Sequence, residues 1–369
     1  MWNGSMDRSM IRPAERREPS GVRLRVSRLH PTPEGSRRSA TCSGQLRRRK
    51  PGFTIVELLV VAATIALALA IVMPAILAAR EDARKLQCRD RLKQIGVALS
   101  NYHDVHSVFP YASSCSYPVE LRFTNVKHAW TEFLLPYLNE APLYHHINFS
   151  ESVDTGNNRE VLEGIRLPVY ACPSNPFTDS FKTIDGANFH EWVNLNGTSG
   201  AQQGLAYPLC AGSILPDRIP PDCKDGEKSF CASESAERNG GLRWWYPHRA
   251  KNPGMYSRGV TSIRLKDVLD GSSQTIAAGE RNAEECCLGG VFTWNAPVFF
   301  TGQKINSSTR TRSPVDYTRN CGSSSHHEGG AHFLFVDGSV QFLNNQIDFR
   351  TYCYLGDKDD GHSVEVPAD

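Results

Sequence analysis

Two groups of residues in this chain have types and spacings that could do chemistry. The first is Gly52-Phe53-Thr54-Ile55-Val56-Glu57, entered through the basic run Arg47-Arg48-Arg49-Lys50 and followed by an uncharged stretch from Leu58 to Ala79. A carboxylate inside an apolar span costs roughly +2.5 to +3.5 kcal/mol to insert, so Glu57 needs a physical reason to be there. Cleavage after Gly52 supplies one: Phe53 would carry a new α-amino group, and Glu57, four residues on, is the natural partner for that cation. The second group is His326-His327-Glu328-Gly329-Gly330-Ala331-His332, with Asp337 beyond it. Three histidines and two carboxylates could furnish metal ligands, and a metal-dependent enzyme built on His326, His327 and His332 is one reading. Yet the spacing matches no zinc motif, and His-Glu-Gly-Gly lacks the helical H-E-x-x-H arrangement. The glycines point instead to a loop in which His327 bonds backbone or Asp337 and locks the turn that follows. On this reading the chain has no catalytic residue, no metal and no cofactor.

The first element that must position these groups is the span. Its 22 residues cover roughly 33 Å as a helix, enough to cross a hydrocarbon core of about 30 Å, with a kink expected at Pro74. The formal charge of +2 hides two unlike parts: residues 1–52 hold 13 Lys/Arg against 4 Asp/Glu, and the rest hold 28 against 35. A basic segment ordinarily suggests nucleic acid; beside a span, the positive-inside rule is the simpler reading, and no nucleic-acid partner is expected. Residues 1–46, rich in Arg, Ser and Pro, are expected to be disordered, and 1–52 form a leader that is removed. An ordinary secretory signal has a shorter apolar core with its cleavage site after it. Here the cut precedes the span, which stays with the mature chain in a membrane, single-pass, with the basic end cytoplasmic.

Past the span the helical pattern turns amphipathic. Cys88, Leu92, Ile95, Leu99 and Tyr102 recur at spacings of 4, 3, 4 and 3, one apolar stripe at helical period, and Glu81 with Lys85 makes an i, i+4 pair. A single helix over 53–103, membrane-spanning to about residue 79, is the expectation. Residues 104–369 read as a globular α+β head. Trp130 to Asn139 suggests a short buried helix ended or kinked at Pro136, and Val169 to Cys172 a strand stopped by Pro173. Residues 176–260, with little periodicity and the aromatic group Trp244-Trp245-Tyr246, read as a disulfide-tied insertion. Ile263–Leu269 suggests a helix, and Thr275–Gly279, Val291–Trp294 and Val298–Phe300 suggest strands. The clearest element is a C-terminal hairpin over 331–343, where Asp337-Gly338 between two β-rich runs signals a type I′ turn with positive φ at both centres.

Ten of the 11 cysteines follow the leader, Cys42 being the exception. An even count in an exported chain favours disulfides, and no close pair such as C-x-x-C favours metal. Asp357-Lys358-Asp359-Asp360-Gly361 invites calcium, but its glycine falls one position early for an EF-hand, and a solvated acidic tail is the reading.

The junction at Gly52-Phe53 and Glu57 resembles the prepilin-type cleavage and methylation signal of type IV pilins and type II secretion pseudopilins. That resemblance implies a membrane peptidase that cuts after Gly52 and methylates Phe53, with Glu57 acting in assembly. His327, nine residues, then Asp337-Gly338 resembles the C-terminal H-x9-DG motif found with such N-termini. Gln87-Cys88, Leu92-Lys93-Gln94-Ile95-Gly96, Asn101-Tyr102-His103-Asp104, Phe109-Pro110, Leu135-Pro136-Tyr137-Leu138, Cys172-Pro173-Ser174 and Asp267 to Ile276 extend the likeness. Over most of residues 53–345 the chain resembles the bacterial family called domain of unknown function 1559, departing from it at Gln274 and Asp90-Arg91. Membership implies a pilin-like α+β fold: a long N-terminal transmembrane helix on a mainly antiparallel sheet, with long disulfide-tied loops. It also implies a bacterial inner-membrane protein with a periplasmic or extracellular head, whose partners are a prepilin peptidase and other pilin-like subunits. It implies no enzymatic activity. A membrane-tethered module that binds glycan or peptide through Trp244-Trp245-Tyr246, without forming filaments, is the alternative.

Overall fold

A computed structural model of the chain describes residues 52–113, 128–153, 156–175, 203–213, 253–256, 262–282, 290–292, 298–307, 322–362 and 364–366. Outside the described residues lie the leader up to residue 51 and most of the 176–260 stretch, including Trp244-Trp245-Tyr246. So do Cys42, Cys115, Cys223, Cys231, Cys286, Cys287 and Cys321. The chain divides into two units, residues 1–62 and 63–369.

Helix α1 (Ile55–His106) opens in the first unit, where Phe53, Ile55, Val56, Leu58, Leu59 and Val60 are all exposed. It is long and apolar enough to cross a membrane, and the apolar window is wholly exposed. Pro74 lies inside the helix, which continues on both sides of it. In the second unit the expected stripe is buried at Cys88, Leu92, Ile95 and Leu99, with Tyr102 half-buried against the same core. Gly96 completes the packing face: a Cβ there would come within 2.7 Å of Leu334 Cδ1, so the helix sits directly on the sheet. Glu81 does not pair with Lys85. It bonds Arg84 at 2.9 Å, while the Lys85 ammonium lies over the Phe342 ring at 5.3 Å.

Short helices follow: α2 (Trp130–Phe133), a 3-10 turn at Leu135–Leu138 carrying Pro136, α3 (Ala141–His146) and α4 (Gly156–Leu162). Where a strand was expected, Pro168–Tyr170 forms a 3-10 turn. Pro168 fixes its first φ, and Tyr170 turns inward so that its hydroxyl donates to the Thr131 carbonyl at 3.0 Å. The helix expected over Ile263–Leu269 shrinks to a 3-10 turn, Leu265–Asp267. Of the strand expected over Val291–Trp294, Val291 and Phe292 form a buried turn, and Thr293 and Trp294 lie outside the described residues.

Strands β1 (Leu209–Cys210), β2 (Ile276–Gly279), β3 (Val298–Phe299), β4 (Gly330–Phe335) and β5 (Val340–Asn344) form one sheet in the order β3-β1-β2-β4-β5. The β1–β3 pair is parallel and the other three are antiparallel, so the sheet is mixed. β1 comes from the 176–260 stretch, and Met255 and Tyr256 from the same stretch are buried in the core. Helix α5 (Phe349–Gly356) is the last helix of the described residues. Along β4 the side chains alternate between two cores. Leu334 packs with the α1 stripe, while Phe333 and Phe335 pack with Tyr352 and Leu355 of α5. Covering both faces is why this strand reads as a nearly continuous apolar run.

The β4–β5 turn is not type I′. Gly338 alone of the pair has positive φ (80°). Its N–H donates to Phe335 O, and Phe335 N–H donates to Ser339 O, each at 2.9 Å. This is the three-residue loop, a type I turn closed by a left-handed glycine. Neighbouring backbone selects it: Val336 and Asp337 N–H groups donate to Thr275 O and Ser272 O, both at 3.0 Å. The acidic 357–361 segment is also not a solvated tail. Asp357 is buried, accepting from Ser213 N–H at 2.8 Å and from its hydroxyl at 2.7 Å.

At Gly330 a Cβ would lie 2.1 Å from the Leu343 carbonyl oxygen, a backbone atom that cannot rotate away. Gly330→Ala should therefore destabilise the detergent-purified chain by about 1–3 kcal/mol, seen as a lower denaturation midpoint. An unchanged midpoint would mean that the two strands do not approach this closely.

Candidate functional site

Four separate elements bring Cys88, Cys172, Glu280 and His327 together, with one ligand atom of each within 4.8 Å of the others. All four are at least 95 % buried. Cys88 belongs to the stripe of α1. Cys172 follows the 3-10 turn at Tyr170, whose next residue, Ala171, accepts at 2.6 Å from Arg91 Nη1 on α1. Glu280 comes directly after β2 and continues its ladder, donating its N–H to His332 O at 3.1 Å. His327 stands in the loop before β4, two residues ahead of Gly329, whose φ of +86° turns the chain into the strand. The sulfurs of Cys88 and Cys172 are 2.9 Å apart; Cys172 Sγ is 4.0 Å from His327 Nε2, and that nitrogen is 3.4 Å from Glu280 Oε1.

The surroundings are strongly charged. His327 Nδ1 lies 2.6 Å from Glu81 Oε1, so the imidazole bridges two carboxylates. Glu280 Oε1 also meets His332 Nδ1 at 3.3 Å, and its Oε2 accepts from His332 N–H at 2.9 Å. Burial works to raise the Glu280 carboxyl, but His327 and His332 overcome it and hold the group below the usual carboxylate range. Burial likewise disfavours the His327 cation, yet its bonds to Cys172, Glu280 and Glu81 hold the imidazole up to about 10. The bond from Cys88 brings the Cys172 thiol down to about 6 against its burial, and His327 adds to the effect. Cys88 goes the other way, raised by the same sulfur contact and by burial. The Tyr207 hydroxyl, fully buried beside these charges, has no hydrogen bond of good geometry. Such a cluster can hold a soft divalent metal, or its thiols can be oxidised; the imidazole set between the Glu81 and Glu280 carboxylates ties α1 to the end of β2.

Of the histidine group read from the sequence, only His327 is in this cluster. His326 and Glu328 are exposed, and His332 touches the cluster through Glu280. Asp337 is exposed at the hairpin turn, where its Oδ1 accepts from Ser339 N–H at 2.8 Å. His327 therefore does not lock the hairpin through Asp337. Glu81, on α1, takes the place that Asp337 was expected to fill. Glu280 and the meeting of Cys88 with Cys172 have no local signal in the sequence, although both cysteines stand in stretches that carry the family likeness, Gln87-Cys88 and Cys172-Pro173-Ser174. None of the four described cysteines, Cys88, Cys172, Cys210 and Cys353, is joined in a disulfide in this structure.

At the N-terminal junction Phe53 is 86 % exposed. Glu57 closes a capping box with Thr54: its Oε2 accepts from Thr54 N–H at 2.8 Å and from the hydroxyl at 2.9 Å, and Glu57 N–H donates to Thr54 Oγ1 at 3.2 Å. The pattern Thr-x-x-Glu carries this motif in the sequence itself.

A family model described as a protein of unknown function (DUF1559) matches residues 77–350. No curated protein and no solved structure matches the chain.

Removing the Glu280 carboxylate takes the partner from His327 Nε2, His332 Nδ1 and the His332 N–H in a buried place. Glu280→Ala is expected to lose about 3–5 kcal/mol in chemical denaturation. Glu81→Ala, where the carboxylate is 30 % exposed, should lose distinctly less. Equal losses would contradict the idea that Glu280 anchors the cluster.

Proposed function

The chain belongs to the DUF1559 family, and from that premise we propose that it is a pilin-like or pseudopilin-like envelope protein, assembled through its N-terminal helix into a type II secretion or type IV pilus-like structure. One observation carries the reading: a lone acid, Glu57, one turn beyond a Gly52-Phe53 junction, heads a helix whose apolar side chains from Ile55 to Leu77 are exposed. Arg47 to Lys50 keeps the leader in the cytoplasm while the helix enters the inner membrane. A prepilin peptidase cuts between Gly52 and Phe53 and methylates the new Phe53 amine. The apolar helices then bundle, and the Phe53 cation of a neighbouring subunit meets Glu57.

The capping box supports this order of events. It lies wholly on the C-terminal side of the cut, so cleavage leaves it intact. Both Thr54 donations go to Oε2, which leaves Oε1 available to an incoming amine. In lipid the carboxylate is thus partly satisfied before assembly, and burial among neighbouring helices with a cation at hand completes it. The head, an α+β body with α1 seated on a mainly antiparallel sheet, serves as the pilin-like exported domain. An oxidising compartment favours disulfides among the cysteines of the mature chain.

Mass spectrometry of the protein recovered from membranes should find N-methylated Phe53 as the first residue, and Gly52→Val should leave the leader attached. Glu57→Ala should be cut normally yet lose intersubunit crosslinks. Wild-type protein that keeps its Arg-rich leader would overturn the processing step; normal crosslinking of the Glu57 variant would overturn the pairing.

A further inference from the structure

We propose that Cys88, Cys172, His327 and Glu280 bind one zinc ion in a closed, four-coordinate site that fastens α1 to the head. The inference stands apart from the processing and assembly reading and needs neither.

The donor set comes first. Two thiols, an imidazole and a carboxylate are the ligand types of zinc sites, and soft sulfur ligands argue against calcium or magnesium. Distances come second. With metal–ligand bonds of about 2.0–2.3 Å, the edges of a zinc tetrahedron run to roughly 3.3–3.8 Å. The His327 Nε2–Glu280 Oε1 separation of 3.4 Å already fits, and Cys172 Sγ–His327 Nε2 at 4.0 Å is close. The Cys88 Sγ–Cys172 Sγ edge at 2.9 Å must open by roughly 0.9 Å, while the set as a whole, spread within 4.8 Å, must draw in.

The supporting contacts single out a metal rather than a bare thiol pair. Metal-bound histidines characteristically donate the second ring nitrogen to a carboxylate, which fixes the tautomer and the ring plane. Here His327 Nδ1 faces Glu81 Oε1 at 2.6 Å, leaving Nε2 for the ion, and Arg84 holds Glu81 in turn at 2.9 Å. Glu280 is oriented in the same way by His332 N–H on its far oxygen. The buried Tyr207 hydroxyl lies within bonding reach of Cys88, a donor placed for a thiolate. A disulfide between the same sulfurs, at about 2.05 Å, would use none of this apparatus. Four protein ligands and deep burial leave no open coordination position, so the ion is structural rather than catalytic.

The test uses the full chain purified in detergent without chelator and with thiols kept reduced. Elemental analysis should find one zinc per chain. Chelation should lower the thermal midpoint, and added zinc should restore it. Replacing zinc with cobalt should give the visible bands of a tetrahedral site and a thiolate charge-transfer band. Should Cys172→Ser fail to fold, the cobalt spectrum of the wild-type chain still decides. Glu81→Gln should keep the stoichiometry at saturating zinc while weakening affinity by about 10–100-fold. The proposal falls if peptide mapping of untreated protein finds a Cys88–Cys172 disulfide and no zinc. It falls equally if cobalt gives an octahedral spectrum without sulfur ligation, or if His327→Gln binds zinc as tightly as the wild type.

Discussion

An imidazole buried between two carboxylates is the interaction on which the head depends. His327 reaches Glu81 on α1 with one nitrogen and Glu280 at the end of β2 with the other. Three segments far apart in the chain thus meet at one ring. Buried charges carry a large desolvation penalty and are tolerated only when every lone pair and proton finds a partner. Glu280 meets that condition through both histidines and a backbone N–H, and Glu81 through His327 and Arg84. Because such a network is much worse half-formed than complete, it selects one register of α1 against the sheet. Apolar burial along the helix, which slides more freely, does not.

That register is what the apolar packing then exploits. Gly96 lets the helix approach Leu334 directly, and Lys93 reaches the Gly338 carbonyl at 2.6 Å, holding the helix to the hairpin turn. On the opposite face α5 packs its Tyr352 and Leu355 against Phe333 and Phe335. β4 is therefore central in both senses, paired on either edge and covered on either face, and the cluster sits at its entrance.

Local features were legible in the sequence because local forces make them. The helical stripe from Cys88 to Tyr102, the break at Pro136 and the hairpin around Asp337-Gly338 each depend on residues a few positions apart. The turn type was misjudged because hydrogen bonds from Val336 and Asp337 to residues 272–275 decide it, and those partners are remote in the chain. The same reason hid the site. His327 stood out among neighbouring histidines, but its real company comes from residues 81, 88, 172 and 280, and no spacing rule links them. Cys88 read as one more apolar position on a helix, and Glu280 as an ordinary acid after a strand. Burial turns both into something else, and burial is a property of the fold.

The same limit explains why Glu57 was read with only half of its chemistry. An acid beside an apolar run asks for a counter-charge, and the proposed cleavage after Gly52 would supply one in the Phe53 amine. It also offered Thr54, three residues earlier, as a helix cap, and the capping box satisfies backbone donors that a helix end would otherwise leave open. The two roles do not compete for the same atoms, since the cap occupies Oε2. A cap that holds the carboxylate in one rotamer also lowers the entropy lost when a cation docks on it. Glu57 placed at the third helical position is therefore preorganised for an incoming amine, which an acid deeper in the helix, without a cap to hold it, would not be.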